Sequence, residues 1–148
     1  MSRSCWRLTV RSEFSAGHAL RHYRGKCEAP HGHNFAVEAV VQGNVLTSDT
    51  ELLLDFSLLK QDLNAVLETL DHRDLNRTPP FDRSNPSSEN LARHIFRLLA
   101  PGAERRGVRL HSVTVGEKSG QSATYLEEEQ PRESADVPGL RPKPRRGE

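Results

Sequence analysis

The chain has 148 residues, 34% of them hydrophobic and 28% charged, with a net charge of +1. That length fits one domain, since domains typically run to ~100–200 residues. The near-neutral charge gives no bulk field for nucleic acid or an anionic membrane surface, and no apolar run reaches the ~18 residues a membrane span needs. The N-terminus carries no apolar signal core. The two cysteines, Cys5 and Cys27, make no disulfide framework, which leads to the expectation of a cytoplasmic protein with reduced thiols.

In chain order, Trp6, Leu8, Val10, Ser12 and Phe14 alternate with Arg7, Thr9, Arg11 and Glu13, the period-two pattern of a strand with one apolar face. A Gly- and charge-rich loop is expected from about Ser15 to Pro30. Phe35 to Val45 reads as a second strand, with Val37, Ala39 and Val41 on one side and Ala36 and Val40 on the other. Apolar residues on both faces imply that both are covered. Asp55 to Leu70 is helical by the spacing of Leu59, Leu63, Val66, Leu67 and Leu70. Asn76-Arg-Thr-Pro79-Pro80 stops it.

A second helix starts near Pro86-Ser87-Ser88-Glu89, where a hydroxyl can cap the first amides and Glu89 complements the helix dipole. Leu91, Ile95, Leu98 and Leu99 form its apolar stripe, and Pro101-Gly102 is expected to end it. Leu110 to Glu117 and Ser122 to Glu127 read as two further strands. The order strand, strand, helix, helix, strand, strand predicts an α+β fold, a four-stranded antiparallel sheet with two helices on one face. Its open edges invite pairing with another chain, so an oligomer is expected. Residues 1–127 form the domain, and 128–148, charge-mixed and Pro-rich, read as a disordered tail.

The chemistry concentrates in His18 and in Cys27-Glu-Ala-Pro-His31-Gly-His33. Residues two apart on a strand leave from the same face, so His31 and His33 can act together with His18. Three imidazoles fill three of zinc's four usual positions and leave one open, the arrangement of catalytic zinc sites; imidazole also suits iron, nickel and copper. Cys27 is either a fourth ligand, which would close the site, or a thiolate general base whose pKa falls beside a dication. Asp71-His72 is either an acid–base pair, with the carboxylate fixing the imidazole tautomer, or a charged helix C-cap.

Glu117 is either a solvated surface carboxylate or the acceptor of two parallel hydrogen bonds from an amidine-like edge such as that of a pterin. Arg21, Arg24, Lys26 and Lys118 are either phosphate ligands or scattered surface cations. His22, His94 and His111, which have no spaced partner, read as ordinary histidines, and Cys5 as an inert thiol.

Together these residues resemble the 6-pyruvoyltetrahydropterin synthase / 6-carboxytetrahydropterin synthase family from about Trp6 to Glu127. Phe14-Ser-Ala-Gly-His18 is similar to the family's first metal motif. Cys27-x3-His31-Gly-His33 is similar to its catalytic cysteine followed by two ligands, and Leu70-Asp71-His72-Arg73-Asp74-Leu75-Asn76 to its acid–base segment. Pro86-Ser87-Ser88-Glu89-Asn90-Leu91-Ala92 resembles its second-helix start, with Ser87 and Ser88 where threonine is frequent. Val115-Gly116-Glu117 and Ser122-Ala-Thr-Tyr125 resemble the segment with the pterin-anchoring glutamate.

The resemblance implies a tunnelling fold (T-fold) whose sheets close into a barrel in a trimer, two trimers stacking into a hexamer with sites between subunits. It implies zinc on His18, His31 and His33, with Cys27, Asp71 and His72 catalytic and Ser88, Glu89 and Glu117 binding substrate. The short Cys-x3-His-Gly-His spacing resembles the bacterial queuosine-pathway branch. Its members convert 7,8-dihydroneopterin triphosphate to a 6-carboxytetrahydropterin, releasing acetaldehyde and triphosphate. The alternatives are the pyruvoyl activity, which eliminates triphosphate without losing carbon, and a zinc-stabilised interaction module without catalysis. The last predicts four protein ligands and loss of folding on chelation.

Overall fold

A computed structural model describes residues 2–25 and 28–129. Cys27 and Lys26 lie outside the described residues, as does the expected tail from residue 130 onward. The elements are β1 (Trp6–His18), β2 (His31–Gly43), α1 (Phe56–Glu68), β3 (Arg73–Asp74), α2 (Ser88–Arg105), β4 (Arg109–Lys118) and β5 (Gln121–Leu126). They form a mixed sheet of order β3-β1-β2-β4-β5. The expected four antiparallel strands are present. The two-residue β3 adds a fifth, parallel to β1 at Ala16 and Gly17; a segment so short carries no periodicity to read.

β1 and β2 pair in continuous antiparallel register from Trp6–Gly43 to His18–His31. The expected loop at Ser15 is therefore strand up to His18, and β2 begins at His31 rather than Phe35. Pairing of the two strands carries the ladder past the last large apolar side chains. One face of the sheet packs against the helices. Val10, Phe14, Phe35, Val37, Ala39, Val41, Val113 and Val115 are buried there, with the Phe14 and Phe35 rings stacked at 4.9 Å. Among the described residues only this face is covered: Ala36 is exposed and Val40 half-buried.

α1 opens on Asp55, whose carboxylate accepts the Ser57 N–H, and buries Leu59, Leu63 and Leu67. α2 opens on Ser87, whose hydroxyl accepts the Asn90 N–H, and buries Leu91, Ala92, Ile95, Phe96 and Leu99. Leu98, assigned to this stripe by spacing, is exposed. The helix does not end at Pro101-Gly102; Pro101 lies inside it.

The stop comes at Gly107, with φ 81°. Gly107 N–H donates to Glu104 O at 3.0 Å and Val108 N–H to Ala103 O at 3.1 Å. This paired closure needs a left-handed residue after the cap and an apolar contact across it, which buried Val108 and Ala103 provide. Arg106 also forks onto Asp62 of α1, at 2.7 and 2.9 Å. At Gly43 a Cβ would lie 2.6 Å from Leu53 Cδ1, so a larger residue there would have to displace that side chain.

Candidate metal centre and ligand cavity

The strand register places His18, His31, His33 and Phe35 on the core-facing side of the β1–β2 pair. The His18 ring meets His31 at 4.6 Å and His33 at 5.2 Å, and Phe35 backs both His18 and His33. One ligand atom from each imidazole lies within 4.8 Å of the others. This trio is the metal-ligand cluster found among the described residues.

Two hydrogen bonds set the chemistry of the rings. His18 Nδ1 lies 2.7 Å from Pro86 O, and His31 Nδ1 lies 2.7 Å from Ala29 O. A carbonyl oxygen only accepts, so each Nδ1 carries the proton and each Nε2 keeps a lone pair, as a metal ligand requires. His18 is 2% exposed and its Nε2 has no hydrogen-bond partner. A buried nitrogen left bare is costly, and a cation resolves it. Burial also holds the His33 pKa below the usual imidazole value, against the opposing pull of Glu117; neutral imidazole is the ligating form. The residues present fit a zinc ion.

Glu117, at the end of β4, is mostly buried rather than solvated. Its oxygens lie 3.6 Å from His18 Nε2 and 3.5 Å from His33 Nε2. The Ser88 hydroxyl lies 3.5 Å from Glu117 Oε1. Ser88, Glu89, Glu117, Ser122, Leu20 and Tyr23 line one cavity of about 300 Å³. Ser88, Glu89 and Glu117 thus line one cavity, which Glu117 connects to the imidazoles.

Asp71 and His72 do not cap α1, whose cap is Thr69. Asp71 Oδ1 accepts the Ser15 N–H at 2.8 Å, and His72 N–H donates to Ser15 O at 2.6 Å. Asp71 Oδ2 lies 2.9 Å from His72 Nδ1. The Ser15 amide, then the His72 ring, hold the Asp71 carboxyl below its ordinary pKa. His72 has φ 55° and an 81% exposed side chain. It borders a shallow cavity of about 590 Å³ together with His33, Ser15 and Asn34. Among the described residues the pair makes no hydrogen bond to the three metal-site rings.

Arg21 is a structural clamp. Its guanidinium donates to Ser84 O, Asn76 O and Phe81 O at 3.0, 3.2 and 2.8 Å. The side chains of Arg24 and Lys118 are exposed. His94 packs edge-on to Phe81 at 5.1 Å, and burial lowers its pKa. Sequence reasoning missed Leu20, Tyr23, Asn76 and Asn85 as shapers of the site, since their partners lie more than fifty residues away or across the cavity.

Residues 7–128 match the 6-pyruvoyl tetrahydropterin synthase family. The chain is 37% identical over 126 residues to the 6-carboxy-5,6,7,8-tetrahydropterin synthase of Synechocystis, covering 82% of this chain and 93% of that protein. It is 33% identical over 116 residues to a putative 6-carboxy-5,6,7,8-tetrahydropterin synthase of Archaeoglobus fulgidus, covering 78% and 91%. The solved structure of Caenorhabditis elegans 6-pyruvoyl tetrahydropterin synthase superposes with a TM-score of 0.75 at 27% identity, over 86% of this chain and 100% of that one. The α+β T-fold expected for one chain is therefore present, and the chain belongs to the 6-pyruvoyl tetrahydropterin synthase family.

Proposed function

We propose that the protein is a zinc-dependent 6-carboxy-5,6,7,8-tetrahydropterin synthase. It takes 7,8-dihydroneopterin triphosphate and water to 6-carboxytetrahydropterin, acetaldehyde and triphosphate. The observation that carries this reading is the cluster of three metal-competent imidazoles, with the cavity-lining Glu117 beside two of them. The 37% identity to a relative of that name supports it.

In this reading His18, His31 and His33 hold the zinc. The bound ion supplies Lewis-acid polarisation of substrate oxygens. Glu117 accepts two hydrogen bonds from the amidine edge of the pterin, with Ser88 and Glu89 bordering the ring. Cys27 removes a proton from the side-chain carbon. His72, its tautomer fixed by Asp71, moves protons at the side-chain hydroxyls. The product belongs to queuosine and 7-deazapurine biosynthesis, in the cytoplasm.

The same reading makes the active form a homohexamer, a dimer of trimers. β3 covers β1 only at Ala16 and Gly17, and β5 lies at the far edge of the sheet. Pairing of those edges between copies satisfies backbone groups that water otherwise serves.

The test is to incubate the zinc-loaded protein with 7,8-dihydroneopterin triphosphate and identify the products by mass. Acetaldehyde with a 6-carboxy pterin is the expected result. Triphosphate release with all carbons retained would make the activity the pyruvoyl one. No turnover, with unfolding on chelation, would leave a zinc-stabilised interaction module.

A further inference from the structure

The segment after His18 is fixed with unusual thoroughness for a loop. Asn76 accepts the Ala19 N–H at 2.8 Å and donates to Ala19 O at 2.9 Å. Asn85 does the same for Arg21, at 2.8 and 2.9 Å. The three bonds of the Arg21 guanidinium add to these two reciprocal pairs. His22 then adopts φ 64°, a left-handed conformation that residues with a Cβ seldom take and that surrounding structure must impose.

That forced turn immediately precedes Tyr23. The Tyr23 side chain borders the cavity that holds Glu117, yet it is 49% exposed and takes no part in the hydrophobic core. The next turn packs onto it at Gly25, where a Cβ would lie 3.0 Å from Tyr23 Cε1. Leu20 and Ala123 add apolar surface to the same cavity. An aromatic ring braced on a rigid loop, half open and beside a buried carboxylate, is suited to a ligand with a flat face and a hydrogen-bonding edge.

We propose that Tyr23 is a specificity-determining residue of this site, stacking its ring on a planar heterocycle whose amidine edge Glu117 holds. The proposal rests on the pterin reading above and extends it. Glu117 alone accepts from any amidine or guanidine; the ring face restricts the ligand to a flat heteroaromatic one. The Arg21 clamp and the His22 turn serve to keep that face in place.

The test uses the full zinc-loaded chain with neopterin as probe, followed by quenching of pterin fluorescence. Tyr23→Ala is expected to weaken neopterin about tenfold, in line with the loss of one stacking contact. Tyr23→Phe is expected to recover most of the affinity, and both variants to keep wild-type zinc content and melting temperature. In turnover the Ala variant raises KM far more than it lowers kcat. Tyr23→Leu, which keeps bulk without aromaticity, binds as weakly as Ala and serves if the Ala variant unfolds. Equal neopterin affinity in wild type and Tyr23→Leu overturns the proposal and leaves the pterin reading standing. A Tyr23→Phe variant as weak as Tyr23→Leu also overturns it. No neopterin binding by the wild type overturns the pterin reading and this inference together.

Discussion

Glu117 brings one carboxylate oxygen to 3.6 Å from His18 Nε2 and the other to 3.5 Å from His33 Nε2. It stands next to the metal-site nitrogens without being one of the three. Glu117→Gln is expected to keep zinc while weakening pterin binding by roughly 10–100-fold. The amide would turn an N–H toward a ligand edge that itself donates, leaving buried donors unpaired. Metal analysis and neopterin titration on the same preparation check this. Loss of zinc in the variant would instead make Glu117 the fourth ligand.

His18 Nε2 is a buried nitrogen without a partner, so metal binding should stabilise the folded chain. Zinc at 100 times its dissociation constant would add about 2.7 kcal/mol, read as a higher melting temperature. His31→Ala should abolish the rise and leave less than one zinc per chain. Cys27→Ala should retain both the zinc and the rise while abolishing turnover. A cysteine variant that loses zinc would show the thiol to be a ligand.

Asp71 is tied at once to the Ser15 N–H and the His72 ring. Asp71→Asn keeps an oxygen for Ser15 and turns a donor toward His72 Nδ1, which selects the wrong tautomer. We expect kcat to fall by about 10²–10⁴-fold with little change in KM, as for general acid–base groups. His72→Ala should cost a similar amount, and the double variant little more than either alone, because the two residues act as a unit. Additive losses would separate them.

Asp62 and Arg106 close α1 against the end of α2. The Arg106 hydrogen bonds hold the Asp62 carboxyl below its usual pKa. A carboxyl depressed in the folded state adds stability above its unfolded pKa and loses it as pH falls through the folded value. Asp62→Asn is therefore expected to lower the melting temperature by a few degrees at neutral pH. The difference should shrink as pH drops below ~4. Melting curves across that range decide it; a gap independent of pH would mean that shape, not charge, matters there.

Much of this was legible in the chain because it depends on short-range periodicity. The alternation from Trp6 to Phe14, the leucine spacing of α1 and the Ser87 cap each act within a few residues. The His31-x-His33 spacing determines a shared face wherever a strand forms. Misreadings fell where a distant partner decides the outcome. Ser15 to His18 is strand because β2 pairs with it, and α2 passes Pro101 because Gly107, Ala103 and Val108 close it a turn later. Arg21 is a clamp because three carbonyls surround it.

The α+β order of elements, the common face of His31 and His33, and the family resemblance can all be read along the chain. Those follow from side-chain period and residue type, which are properties of neighbours in the chain. The packing of strands and helices is what leaves His18 Nε2 buried and bare, sets Glu117 beside it, anchors Asp71 to Ser15 and turns Tyr23 to the cavity. Each of these is a contact between residues far apart in sequence, and contact across that distance is set by how the strands and helices pack.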